Sequence, residues 1–372
     1  MKIFMLGGIA ESLINFRGRL IEALIEKQHS VITCASGENG TMASRIEGLG
    51  ADFFPVPLQR AGYNPIRDHF YFWGLHRLMK RERPDVVLTY TAKPIIYGSL
   101  AARLARVPNI YSIITGLGYG FSEEPTFRRK ATGFVLTQLY GKALRVNRKV
   151  FFQNPDDEAL FRSMNILPET IPGRVVNGSG VDLDTFQPAP PRTKPVRFLL
   201  IARLLKDKGI GEFVEAAATV HERFPQTEFE VVGSFDPNPA GFSRPTIERW
   251  KAEGPVRFAG AVEDVRPHLD RASVYVLPSY REGLPRTVLE AMAMQRPVIT
   301  TDAPGCRETV IPEETGLLVP PGDSGALCEA MLRFIEQPTL IETMGTAGRR
   351  RAETCFDVRS INRRLMEEMD LL

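Results

Sequence analysis

Glu282 and Glu290 lie eight residues apart, with Gly283-Leu284-Pro285 behind the first and Ala291 behind the second. The short apolar run 273–277 ahead of them reads as a buried strand, and the residues after Pro285 take up a helical pattern. A carboxylate beside a glycine and a proline, just past the C-terminal end of a strand, stands where open α/β sheets bind their ligands. If the loop folds over a ligand at the helix start, Glu282 and Glu290 meet it from different sides. Two glutamates alone also suit a solvated loop and a helix surface. The charged residues elsewhere decide between these readings.

The run 197–201 reads as another strand, and Arg203 and Lys208 bracket the loop leading from it to a helix through Val214 and Ala218. Two cations there can hold a diphosphate, helped by the N–H groups of the helix N-terminus. In the first half, Gly7 and Gly8 follow the strand-like run 3–6 and let backbone approach a ligand or the facing domain without Cβ interference. Their spacing is not Gly-x-Gly-x-x-Gly, so an NAD site is poorly supported. Lys93 sits on a loop after the run 85–88, where it either offers a cation to a phosphate or stays solvated. Thr115-Gly116-Leu117-Gly118-Tyr119-Gly120 follows the run 110–114. Such a loop either cradles an anion with its N–H groups or is a flexible connection.

These loops need strands to carry them. Short apolar runs alternate with helical patterns along both halves, which predicts α/β units with parallel sheets. At 372 residues the chain is long for one core, so two domains are expected. Pro188-Ala189-Pro190-Pro191-Arg192 is stiff and lacks apolar periodicity, as a linker does. A net charge of +3 is too small to argue for nucleic acid. Basic clusters gather in the first half, at 76–83, 128–130 and 142–149, and suit a solvated surface, an anionic lipid surface or a diphosphate. The stretch 58–81, with Phe70-Tyr71-Phe72-Trp73, reads either as a core-facing helix with a charged end or as an amphipathic patch at an interface. Cys34, Cys306, Cys328 and Cys355 show no metal spacing and read as reduced thiols of a cytosolic protein. No run reaches the roughly 18 apolar residues of a spanning helix.

Glu282 and Glu290 with seven residues between them, together with Arg203, Lys208, Gly233, Gly260 and Gly305 in this order, resemble the retaining nucleotide-sugar glycosyltransferases of family 4. The resemblance covers nearly the whole chain. Its closest flavour is the bacterial enzymes that extend polyprenyl-diphosphate-linked sugars. It implies the GT-B fold: two doubly wound Rossmann-like domains facing across a cleft, with a C-terminal helix crossing back. Residues 1–187 are then the acceptor domain, 188–355 the donor domain and 356–372 the returning helix. Two departures stand out. Many relatives carry a histidine where Ala92 lies, and the usual Asn-Gly-Val-Asp is lengthened here by Ser179 and Gly180.

By that resemblance Arg203 and Lys208 neutralise the leaving diphosphate, and Glu282 lies over the sugar. Gly283 and Leu284 contact sugar or phosphate through their amides, Glu290 binds ribose hydroxyls, and Gly233 and Gly260 frame the nucleotide. Gly7, Gly8, Lys93, Thr115, Gly116 and Gly118 are the acceptor-side candidates. The reaction implied is hexosyl transfer with retention, from a UDP-hexose or UDP-N-acetylhexosamine to a lipid-linked saccharide. Neither a catalytic metal nor a cofactor is expected. The partners implied are the nucleotide sugar, the lipid-linked acceptor and the inner face of the cytoplasmic membrane. A UDP-sugar 2-epimerase, a transferase with a soluble acceptor and a non-catalytic sugar-binding module are the competing readings.

Overall fold

The computed structural model describes residues 1–37, 40–58, 64–116, 127–236, 238 and 240–372, with the side chains of 127–134 and 136 outside the description. The chain divides into unit 1, Met1–Ser179 with Arg359–Leu372, and unit 2, Gly180–Val358. Residues 188–192 lie inside unit 2, where Arg296 Nη1 donates to Ala189 O at 2.9 Å. Unit 2 opens on a turn fixed by Asp182, whose carboxylate accepts from Asp184 N and from Thr185.

Unit 1 is a parallel sheet of β1 (Lys2–Ile9), β2 (Ser30–Ser36), β3 (Asp52–Pro55), β4 (Val86–Tyr90), β5 (Asn109–Ile114), β6 (Lys149–Phe152) and β7 (Gly173–Val175). The strand order is β3-β2-β1-β4-β5-β6-β7. Alternate residues feed two buried layers. Ile3, Met5 and Val31 face α1 (Ala10–Glu26) and α2 (Thr41–Glu47). Phe4, Leu6 and Ile32 face α3 (Pro65–Glu82) and α4 (Ser99–Leu104). Both faces are covered, which is why these strands read as continuous apolar runs. A layer continues through α5 (Phe127–Leu144) and α6 (Pro155–Ser163).

The residue pattern over 16–26 predicts a helix, and α1 begins six residues earlier, at Ala10. Its first turns are held by burial of Ala10, Ser12 and Leu13, while Ile9 supplies no side-chain cap, so no start signal was there to read. The aromatic stretch is α3, and its start carries clear signals. Pro65 is its first residue, and Asn64 Oδ1 accepts from Arg67 N at 3.1 Å. Residues 59–63 of the stretch 58–81 and the loop holding Gly118 fall outside the described residues.

Unit 2 has β8 (Arg197–Ile201), β9 (Glu228–Val232), β10 (Val256–Gly260), β11 (Val274–Leu277), β12 (Val298–Thr301) and β13 (Gly316–Val319). All pairs are parallel and the order is β10-β9-β8-β11-β12-β13. Helices α7 (Ile210–Arg223), α8 (Arg244–Glu253), α9 (Arg266–Arg271), α10 (Arg286–Ala293), α11 (Ser324–Glu336) and α12 (Thr339–Cys355) cover both faces. The last helix, α13 (Val358–Glu368), and the residues after it return to unit 1. Leu365, Met366, Met369 and Leu371 enter its core, and Lys149 donates to Glu368 at 2.5 Å. No helix of the described residues is long and apolar enough to cross a membrane.

Candidate active site

In unit 2 the strand order reverses between β8 and β11. Loops leaving neighbouring strands at such a reversal head in opposite directions and open a crevice beyond the strand ends. Arg203 and Lys208 leave β8, and Glu282 leaves β11. Lys206–Lys208 forms one 3-10 turn ahead of α7. Tyr280 N donates to Asp207 O at 2.9 Å and ties the two loops together.

At the crevice Lys208 Nζ donates to Glu282 Oε1 at 2.6 Å, and Ser279 Oγ donates to the same oxygen at 2.8 Å. Glu282 N reaches Pro304 O at 2.9 Å, so its backbone is pinned to the loop after β12. Burial pulls the Lys208 pKa down, but attraction to Glu282 and their hydrogen bond outweigh it, and the net shift is upward. Lys208 is therefore a charged ammonium at neutral pH. Arg203 is more exposed and donates to Asp236 Oδ2 at 2.6 Å. An exposed pair of this kind exchanges partners at little cost.

Glu290 lies deeper, only 6% exposed on α10. Arg286 Nε approaches its Oε1 at 2.8 Å from one turn earlier. Burial pushes the Glu290 carboxyl above its ordinary range, against the pull of Arg286. The helix cannot rotate to release it, because Val288, Leu289 and Met292 are fully buried, each worth about 1.5–3 kcal/mol. Tyr275 Oη donates to Thr287 Oγ1 at 2.6 Å and fixes the first turn. Leu284 is a core residue, which leaves its backbone as the part able to meet a ligand. Gly233 N donates to Gly260 O at 2.8 Å, joining the ends of β9 and β10. Val262 and Val265, which follow β10, are part-buried against the core under α9 and α10. Among the described residues no three His, Cys, Asp or Glu side chains group as metal ligands.

Ser279, Asp236 and Arg286 were not singled out in the sequence. The spacing Arg286-x-x-x-Glu290 is an i, i+4 helix pair and was readable. Asp236, thirty-three residues from Arg203, left no such trace.

The acceptor-side candidates lie on unit 1. Its strand order reverses between β1 and β4. Gly7 makes room for a side chain: a Cβ there stands 2.2 Å from Tyr90 Oη. At Gly8 a Cβ stands 3.0 Å from Thr91 Oγ1. Lys93 is committed to Asp68, donating to Oδ1 at 2.7 Å, while Tyr97 Oη holds Oδ2 at 3.2 Å. Thr115 and Gly116 follow β5, beside the end of β4.

The chain matches two family models, the glycosyl transferase 4-like domain over residues 15–172 and glycosyl transferases group 1 over 195–337. It is 27% identical over 354 residues to the N,N'-diacetylbacillosaminyl-diphospho-undecaprenol alpha-1,3-N-acetylgalactosaminyltransferase of Campylobacter jejuni, covering 91% of each chain. It is also 27% identical over 332 residues to the UDP-Gal:alpha-D-GlcNAc-diphosphoundecaprenol alpha-1,3-galactosyltransferase of Escherichia coli, covering 85% of this chain and 83% of that one. Among solved structures, HepE of Anabaena in complex with UDP superposes with a TM-score of 0.79 at 19% identity, over 100% of both chains. Sucrose-phosphate synthase from Thermosynechococcus elongatus gives 0.79 at 20% identity, over 99% of this chain and 98% of that one.

Proposed function

This chain belongs to the glycosyl transferases of group 1, with the GT-B fold, and we propose that it moves a sugar from a UDP-sugar to a hydroxyl of a polyprenyl-diphosphate-linked saccharide, with retention. The observation that carries the reading is the Lys208–Glu282 contact at the strand-order reversal, with Arg203 beside it and Glu290 buried behind. The names of both curated relatives support the acceptor class, and the name of the second supports a UDP-sugar donor.

In this reading the donor diphosphate takes Arg203 from Asp236 and shares Lys208 with Glu282. The bond from sugar C1 to the diphosphate oxygen breaks as the acceptor hydroxyl forms its bond to C1 on the same face. The hydroxyl proton passes to a donor phosphate oxygen. Charge grows on the leaving diphosphate, so Arg203 and Lys208 bind it most strongly in the transition state. Glu282 accepts hydrogen bonds from sugar hydroxyls, and the amides of Gly283 and Leu284 donate to sugar or phosphate. Glu290, held by Arg286, takes the ribose hydroxyls.

Purified protein incubated with UDP- and GDP-sugars and a set of polyprenyl-diphosphate sugars tests this directly. Mass analysis should show one hexose or N-acetylhexosamine added to the lipid. A sugar epimerised without any acceptor, or a product formed only on soluble saccharides, would replace the reading.

The reading also includes contact with an anionic membrane surface. Ile66 and Phe70 on α3 are 70% and 69% exposed, and Trp73 shares their helix face. By sequence, α3, residues 99–106 and α5 carry ten Lys and Arg against Asp68 and Glu82, a surplus larger than the net +3 of the whole chain. Ile66→Ser with Phe70→Ser is expected to weaken binding to phosphatidylglycerol-containing vesicles about tenfold. Flotation measures it, and equal binding by the variant would remove this face from the interaction.

A further inference from the structure

Unit 1 has its own strand-order reversal, between β1 and β4, and a buried cation stands beside it. Arg17 on α1 is only 3% exposed, yet among the described residues it makes no ion pair. Its Nε is buried without a hydrogen-bond partner. Its guanidinium stacks on the Tyr90 ring, 5.2 Å from the centroid. That ring is held in turn: Tyr90 Oη and Ser12 Oγ lie 2.9 Å apart, and the missing side chain of Gly7 leaves the space it fills. Stacking orients the guanidinium plane but leaves its N–H donors unspent.

A second strained feature borders the same reversal. Thr91, directly after β4, has φ +68, which is costly for a β-branched residue, and its Oγ1 is buried without a hydrogen-bond partner. Backbone held in such a conformation clusters at ligand sites. A buried charge lacking a counter-charge destabilises the protein that carries it, so burial alone does not account for Arg17. Burial also holds its pKa below the ordinary arginine value, as expected for a cation short of an anion.

We propose that Arg17 is the anion receptor of unit 1 and takes the diphosphate of the acceptor's lipid anchor. The planar fork of a guanidinium matches paired phosphate oxygens better than an ammonium does. The inference rests on the diphosphate-linked acceptor described above and adds the residue that recognises its anchor. Lys93, which the sequence left either as a cation for a phosphate or as a solvated lysine, is already neutralised by Asp68.

Calorimetric titration with farnesyl diphosphate, in saturating UDP so that unit 2 is occupied, tests it. Arg17→Met keeps the apolar stem, and is expected to raise the Kd for farnesyl diphosphate at least about tenfold, with Tm unchanged or higher. Arg17→Lys should fall between the two. A wild-type protein that binds UDP but not farnesyl diphosphate would remove the diphosphate-linked acceptor itself. Wild-type binding that persists undiminished in Arg17→Met would remove only Arg17. A Met variant with a lowered Tm, or one that does not fold, also overturns the proposal, because it makes Arg17 a structural residue.

Discussion

Lys208→Met lowers kcat by about 10²–10³-fold, the usual loss when one pre-organised donor to developing charge is removed. The same change should cost about 3 kcal/mol of stability, because Glu282 is then left largely buried without its ammonium. The two effects come apart in a second variant. Lys208→Met with Glu282→Gln removes the stranded charge as well, so stability returns while activity does not. Linkage gives the sign of the pH dependence in the wild type. The folded Lys208 pKa is raised, so the pair's contribution is complete below the ordinary lysine value of 10.5 and is lost as pH rises through the folded value. Thermal melts should therefore separate wild type from Lys208→Met at neutral pH and converge in strong alkali. A variant that loses stability but keeps kcat would make the pair a brace for the loops and nothing more.

The parts of this site that follow from local spacing are legible in the sequence. The loop after β11 announced itself through Gly283 and Pro285 behind a short apolar strand, and the loop after β8 through two cations ahead of a helix. Parallel strands buried on both faces produce apolar runs with no alternation, so the fold class was readable as well. What stayed hidden depends on contacts between distant segments. Arg203 meets Asp236, and Glu282 N meets Pro304 O, only because β8, β9, β11 and β12 are neighbours in one sheet. Lys93 looked like a free cation because its partner Asp68 lies on α3, twenty-five residues earlier. Arg17 was not singled out, since nothing in its local spacing shows that it is buried with its guanidinium over the ring of Tyr90, seventy-three residues away. Gly7 reads as letting backbone approach a ligand or the facing domain, and no local signal shows that the Tyr90 ring fills the space beside it.

Gly305→Ala should cost about 10² in kcat/KM although Gly305 presents no side chain to any ligand. Its φ is +81, and an added Cβ stands 2.2 Å from Glu282 O and 2.5 Å from Glu282 C. Those are backbone atoms, so no rotamer change relieves the clash, and Glu282 must move with its loop. Displacing a positioned carboxylate by about an ångström is enough for a loss of this size. The substitution also carries the cost of a left-handed Ala, about 1–2 kcal/mol, which alone lowers Tm and not kcat. Gly322→Ala separates the two contributions. Gly322 has a similar φ of +76, but its Cβ meets only the Tyr280 side chain, Oη at an ordinary 3.5 Å and Cζ at 3.8 Å. Both variants should lose Tm for the shared backbone cost, and only Gly305→Ala should lose turnover. Equal activity in the two would mean that the position of Glu282 does not matter to the reaction, and the assignment of Glu282 to the sugar would fall with it.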